Sequence, residues 1–206
     1  MKKFAMILAG SGVYDGSEIH EATLTMLAIM QHSGSYQCFA PDVDQHHVIN
    51  HLNGEEMKET RNVLVESARI ARGDVKKLTE FKPDDFDVLI MPGGFGVAKN
   101  LCDFAFKGAD CTVNPTVAEA VKLMHEAGKP IGALCISPVI ISKVLGDVEL
   151  TLGQDQGTID NVEKMGSRHT KTTHGEVIVD KKHKVFTTPC YMLDAIILQI
   201  YEGATN

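Results

Sequence analysis

Short apolar runs alternate with stretches of helical spacing along this chain, and the alternation predicts an architecture. "KKFAMIL" near the N-terminus, "YQCFAP" at 36–41, "FDVLIMPGG" at 86–94 and "IGAL" at 131–134 read as strands, several of them apolar throughout. "VKKL" at 75–78 reads as a short edge strand, "VELTL" at 148–152 as a further strand, and "VIVDKKHKVFTT" at 177–188 as a hairpin with a polar turn. Between them, "SEIHEATLTMLAIMQHSG" places Ile19, Ala22, Met26 and Ile29 at helical spacing, with Gly34 as the stop. "ETRNVLVESARIARG" predicts a helix closed by Gly73. "NPTVAEAVKLMHEAGKP" predicts one capped by Asn114, with Pro115 in its first position and Gly128 at its end. "SPVIISKVLG", "TIDNVEKMG" and "YMLDAIILQIYEG" complete the helices; residues 42–59 are polar and without clean period. Strands alternating with helices predict an α/β fold, a mainly parallel sheet covered on both faces.

No repeat, low-complexity tract or linker interrupts the pattern, so residues 1–206 read as a single domain. A hydrophobic content of 44% supports a sizeable core, and a formal charge of −7 argues against a general nucleic-acid or anionic-membrane binder. No apolar run approaches the roughly 20 residues of a membrane span. The apolar patch Phe4 to Ala9 is shorter than the roughly 7–15 residues of a secretory h-region. A cytoplasmic protein is the expectation. The five cysteines, Cys38, Cys102, Cys111, Cys135 and Cys190, include no CxxC and suggest no disulfide framework. The histidines of "QHHVINH" at 45–51 have a spacing that matches no metal site.

In parallel sheets ligands sit beyond the carboxyl ends of the strands. Three turns arrive there: "AGSGVYDG", "MPGGFG" and the corner at Cys135. Cys135 ends an apolar run where the pattern turns helical, which is the logic of a nucleophile elbow, although the full GxSxG form is absent. A thiol at a helix start is expected to have a lowered pKa. The Ile136 amide and a second from the PGG turn, with Gly94 the better candidate, suit an oxyanion. The other reading of Cys135 is a small buried hydrophobe. Glu18 and Glu21 are neighbours on the first helix. Asp15-x-x-Glu18 fits a capping box. Glu21 has no capping role, and it reads either as a proton-transfer group or as part of a solvated face. The Gly-rich "SGVYDGSE" is neither a dinucleotide fingerprint nor a Walker A loop.

The blocks "SGVYDGSEIHEA", "VINHLNGE", "ETRNVLVESARIARG", "PGGFGVAKNL", "AGKPIGALCISP" and "TTPCYM", in this order, closely resemble the ElbB-like glyoxalase family, once linked to isoprenoid biosynthesis. That family lies within the PfpI / class I glutamine amidotransferase-like superfamily. The resemblance implies a flavodoxin-like sheet sandwiched by helices, often a homodimer. It implies a reactive cysteine at Cys135, a helix-borne glutamate at Glu21 and oxyanion donors at the backbone of Gly94 and Ile136. One departure stands out. Superfamily peptidases carry histidine directly after the cysteine, where this chain has Ile136, and "TLGQDQG" supplies none in the other usual place. Protease and glutaminase readings are weakened accordingly, with His20 and His169 as the substitutes to consider. The expected function is glutathione-independent conversion of a small 2-oxoaldehyde, glyoxal, to a 2-hydroxy acid, glycolate, through a cysteine hemithioacetal. This chemistry requires no metal or organic cofactor. The alternative is a redox-sensing or chaperone-like homodimer with an oxidisable elbow cysteine. Expected partners are a small aldehyde and a second copy of the chain, with no nucleic acid and no membrane.

Overall fold

A computed structural model describes residues 1–206. Its centre is a seven-stranded sheet made of β1 (Lys3–Ile7), β2 (Ser35–Ala40), β3 (Val75–Lys77), β4 (Val88–Met91), β5 (Ile131–Leu134), β8 (Ile178–Asp180) and β9 (Val185–Thr188). The order is β3-β2-β1-β4-β5-β9-β8, with every pair parallel except β8 with β9. This is the expected flavodoxin-like mixed sheet, with VKKL as its edge. Order reverses between β1 and β4, so the turns after those two strands open a crevice.

Alternation along the central strands feeds two cores. Ala5, Ile7 and Ala9 belong with Leu89, Met91, Ile131, Val121 and Ile140. Met6 and Leu8 belong with Ala22, Met26, Ile29 and Cys38. Helix α1 (Ile19–Gln31) thus seals one face, shared with α2 (Val63–Ile70) and α7 (Ile197–Thr205). Helices α4 (Pro115–Glu126) and α5 (Pro138–Leu145), with α6 (Gln156–Lys164) beyond them, cover the other. Strands buried on both faces explain why their sequences are apolar runs rather than alternating ones.

Several boundaries differ from the sequence expectation. Helix α1 stops at Gln31 because Ser33, not Gly34, takes the left-handed turn at φ 58°. Helix α2 begins only at Val63, where the Asn62 side chain accepts from Val65 N. Of VELTL, only β6 (Glu149–Leu150) forms a strand, paired with β7 (Arg168–His169) in a separate two-stranded sheet. The next amides turn to side chains, Thr151 N to Thr187 Oγ1 and Leu152 N to His169 Nε2, and the ladder ends. Residues 191–196 are not helical: a 3₁₀ turn at Cys190–Met192 and an extended Leu193 precede α7. A π-turn, Val97–Leu101, and the short α3 (Phe104–Lys107) occupy a region whose sequence carries no clear period.

Candidate functional site

The carboxyl ends of β1, β4, β5 and β9 deliver four turns to one place. After β5 the chain corners at Cys135, held at φ 58°, and the Cys135 amide donates to Thr188 O at 2.9 Å. A left-handed non-glycine residue is costly, and such strain concentrates at functional sites. Two residues on, the buried Ser137 hydroxyl donates to Pro92 O at 2.6 Å. That bond clasps the corner to the turn after β4.

Glu21, in the first turn of α1, has no exposed surface. The solvated-face reading is therefore excluded. Its carboxyl accepts from Gly93 N at 2.8 Å and Tyr191 N at 3.3 Å, and it lies beside the Cys135 thiol, both packed on Gly93. Gly93 must be glycine: a Cβ there would lie 2.8 Å from Cys135 Sγ and 2.7 Å from Glu21 Oε2. Gly94, at φ 101°, lines the cavity beside Cys135, and a Cβ on it would sit 2.4 Å from Glu18 N. Thus Cys135, Glu21, Gly94 and Ile136 are gathered at one point, the last three by three different elements or turns.

Burial sets the proton chemistry. Desolvation first, then the charge of Glu18, raise the Glu21 pKa from 4.5 to about 7. Burial also pushes the Cys135 thiol up, with the charge of Glu21 adding to it. The lowered pKa expected for this thiol is corrected: α5 starts only at Pro138, and desolvation outweighs the Gly94 amide. Two acidic groups in contact within a dry site do not both ionise at neutral pH.

Above the pair lies a cavity of about 300 Å³. Val13, Phe95, Ala98, Phe104 and Met192 make its apolar wall, and Glu18, Thr158 and Tyr191 add polar groups. No lysine or arginine lines it. Ile136 faces the same space.

Other expectations are revised. Asp15 and Glu18 do not form a capping box: Glu18 itself caps α1, accepting from Glu21 N at 2.7 Å, while Asp15 accepts from Ile49 N at 2.7 Å. His20 bonds the Tyr191 hydroxyl at 2.9 Å, on the cavity rim rather than on Cys135. His169 takes the Leu152 amide and does not line the cavity. Arg61 pairs with Glu59 and Glu66, and Asn62 caps α2. No group of three or more His, Cys, Asp or Glu side chains is placed to hold a metal. Sequence reasoning passed over Tyr191, Ser137 and Cys190, the last held at φ 43° and packed with Cys135. The available signal was position: "PCY" follows an apolar strand just as Cys135 does.

Comparison with known proteins supports the fold. The structure of an isoprenoid biosynthesis protein with an amidotransferase-like domain from Ehrlichia chaffeensis superposes with a TM-score of 0.91 at 37% identity, covering 98% of this chain and 95% of that one. Glyoxalase III from Candida albicans shares the fold at a TM-score of 0.64 and 15% identity, covering 99% and 93%. The human glutamine amidotransferase-like class 1 domain-containing protein 3, mitochondrial, is 44% identical over 98% of this chain and 79% of its own length. Rat and zebrafish relatives also carry the word mitochondrial in their names. These names overturn the expectation of a cytoplasmic protein. It rested on the lack of a secretory or membrane-spanning segment, and such segments do not distinguish among interior compartments. Residues 45–191 match the DJ-1/PfpI family, and with relatives at this identity the chain belongs to it.

Proposed function

We propose that this chain is an ElbB-like member of its family and converts a 2-oxoaldehyde such as glyoxal to the 2-hydroxy acid, without glutathione. The observation that carries the reading is the Cys135 thiol in the wall of an apolar cavity with the buried Glu21 carboxyl behind it, both packed on Gly93. Glu21, raised to about 7, takes the thiol proton as Cys135 sulfur attacks the aldehyde carbon. The Gly94 and Ile136 amides hold the oxyanion of the hemithioacetal. Glu21 hands the thiol proton to that oxyanion and, a carboxylate again, removes the C–H proton of the same carbon and delivers it to the neighbouring carbonyl carbon, while the hydroxyl proton passes from the first oxygen to the second. The hemithioacetal becomes a 2-hydroxy thioester. Water cleaves the thioester, releasing the acid and restoring the thiol, so the sum is aldehyde plus water giving hydroxy acid. A single carboxyl group of raised pKa performs both transfers, so a histidine is not needed. The fold shared with a glyoxalase III is consistent with this chemistry.

The test is product analysis. Glyoxal is expected to give glycolate, and Cys135→Ala is expected to abolish turnover; full activity in that variant overturns the reading. The sensor alternative loses support because burial and the Glu21 charge both hold the Cys135 thiol in its protonated, less oxidisable form. We take the working unit to be a homodimer, which light scattering on the 22.4 kDa chain decides.

A further inference from the structure

All five cysteines are free, and the aldehyde chemistry uses one. Two others meet at a distance along the chain. Cys102 follows the π-turn Val97–Leu101, and Cys111 follows a 3₁₀ turn at Gly108–Asp110. The segments around them run antiparallel: Cys102 bridges to Val113, and Asn114 N donates to Leu101 O at 2.8 Å. Across such a pair, the residue two before the partner is a diagonal neighbour on the same face. For Cys102 that neighbour is Cys111, and the two side chains lie in the same buried cluster. Lys143 stands on the Cys111 side, its Nζ on Ala109 O at 2.8 Å. The neighbouring Cys102 thiol and the Lys143 charge favour the Cys111 thiolate, while the Cys102 thiol is pushed up.

The pair is connected to the Cys135 site along two routes. The Cys102 amide and thiol both point at Val97 O, at 3.1 and 3.3 Å, and Val97 N donates to Gly94 O at 3.0 Å. Gly94 lines the cavity beside Cys135. Between the two cysteines the chain carries Phe104 and Ala105, both in the cavity wall.

We propose that Cys102 and Cys111 form a reversible disulfide that re-sets the Gly94 turn and the Phe104 wall of the Cys135 cavity. A hydroperoxide is the oxidant. Cys111 sulfur attacks its terminal oxygen, the O–O bond breaks, the alcohol (water for hydrogen peroxide) leaves, and Cys111 becomes a sulfenic acid. Cys102 sulfur then attacks Cys111 sulfur, and its proton departs with the hydroxyl as water. In sum, two thiols lose two protons and two electrons, and the hydroperoxide is reduced to alcohol and water. The new bond consumes the S–H that reaches Val97 O and draws the 103–110 segment inward, since bonded sulfurs sit closer than unbonded ones. Both residues are shielded, Cys102 5% and Cys111 2% exposed, so oxidation follows local opening of that segment. Its surface ties are the Asp103–Lys107 ion pair at 2.6 Å and the Thr112 amide on Asp103.

The experiment treats the Cys135→Ala chain with hydrogen peroxide, blocks free thiols with iodoacetamide and digests with trypsin. The expected product is a reductant-sensitive cross-link of Asn100–Lys107 to Gly108–Lys122, lost when Cys111→Ser is added. With Cys135 intact, peroxide is expected to change its alkylation rate by about twofold or more, reversed by dithiothreitol and absent in Cys111→Ser. Recovery of both peptides separately alkylated overturns the disulfide. A cross-link that leaves the Cys135 rate unchanged overturns its action on the site.

Discussion

At the scale of single residues, the site depends on two acids sharing a space too dry for both charges. Glu21 is fully buried, yet each of its oxygens meets a backbone N–H, from Gly93 and from Tyr191. These bonds keep it ionisable, and desolvation with the Glu18 charge places its titration near 7. Turnover that needs the carboxylate as base therefore rises as pH passes through about 7. Glu21→Gln is expected to lower glyoxal kcat/KM by about 10²–10⁴-fold and to remove that rise, as a pH–rate profile reads directly. Cys135 was legible in the sequence as a thiol at a strand end followed by a helical pattern. Its protonation state was not, because burial is a tertiary property and no local pattern reports it. Sequence spacing gave Glu18 a capping partner in Asp15 and left Glu21 open between a proton-transfer group and a solvated face. Packing decides between those readings, burying Glu21 against the thiol while Glu18 caps the helix by itself.

At the scale of elements, the proposed reaction needs the turns after β4 and β5 at a fixed spacing, so that the Gly94 and Ile136 amides can serve one oxyanion. Ser137 sets it through its 2.6 Å bond to Pro92 O, both ends away from solvent. Ser137→Ala leaves that carbonyl without a partner, and the expected cost is about 1–3 kcal/mol in urea denaturation. Turnover is expected to fall with KM nearly unchanged, since the clasp orients groups that act mainly in the transition state. A variant equal to wild type in both measurements removes the clasp from the account. The elements carrying these turns were readable because their strands are buried runs and their helices have clear stops. The stretch from Phe95 to Val113 was not: its turn, short helix and bridge are held by tertiary bonds such as Phe95 N to Val13 O and Ala109 N to Asn161 Oδ1. VELTL misled for the opposite reason, since a good strand sequence found side-chain acceptors instead of a ladder.

At the scale of the whole molecule, the buried carboxyl leaves a mark on stability. Its folded pKa is raised, so folding favours the protonated form; that contribution is present below the unfolded value of 4.5 and lost as pH rises through about 7. A shift of that size amounts to roughly 3 kcal/mol across the window. Glu21→Gln is expected to flatten the dependence of unfolding free energy on pH between about 4.5 and 7 relative to wild type. Surface carboxylates such as Asp42, Asp87 and Asp147 have lowered pKa values, so they act at lower pH and leave this window clear. The mainly parallel sheet and a site at the carboxyl ends of its strands follow from chain-wide alternation of strand and helix, whereas the strand order and the cavity are set by tertiary packing. The compartment follows from neither, because no feature of a folded core encodes it.

The proton pair itself is tested most directly by alkylating Cys135 with iodoacetamide across a pH series, in wild type and in Glu21→Gln. Wild type is predicted to react along a curve whose midpoint lies above that of a free thiol, because burial and the Glu21 charge both oppose the thiolate. In Glu21→Gln the midpoint is predicted to move down, the charge being gone. A wild-type midpoint below that of a free thiol, unmoved by the substitution, would contradict the account.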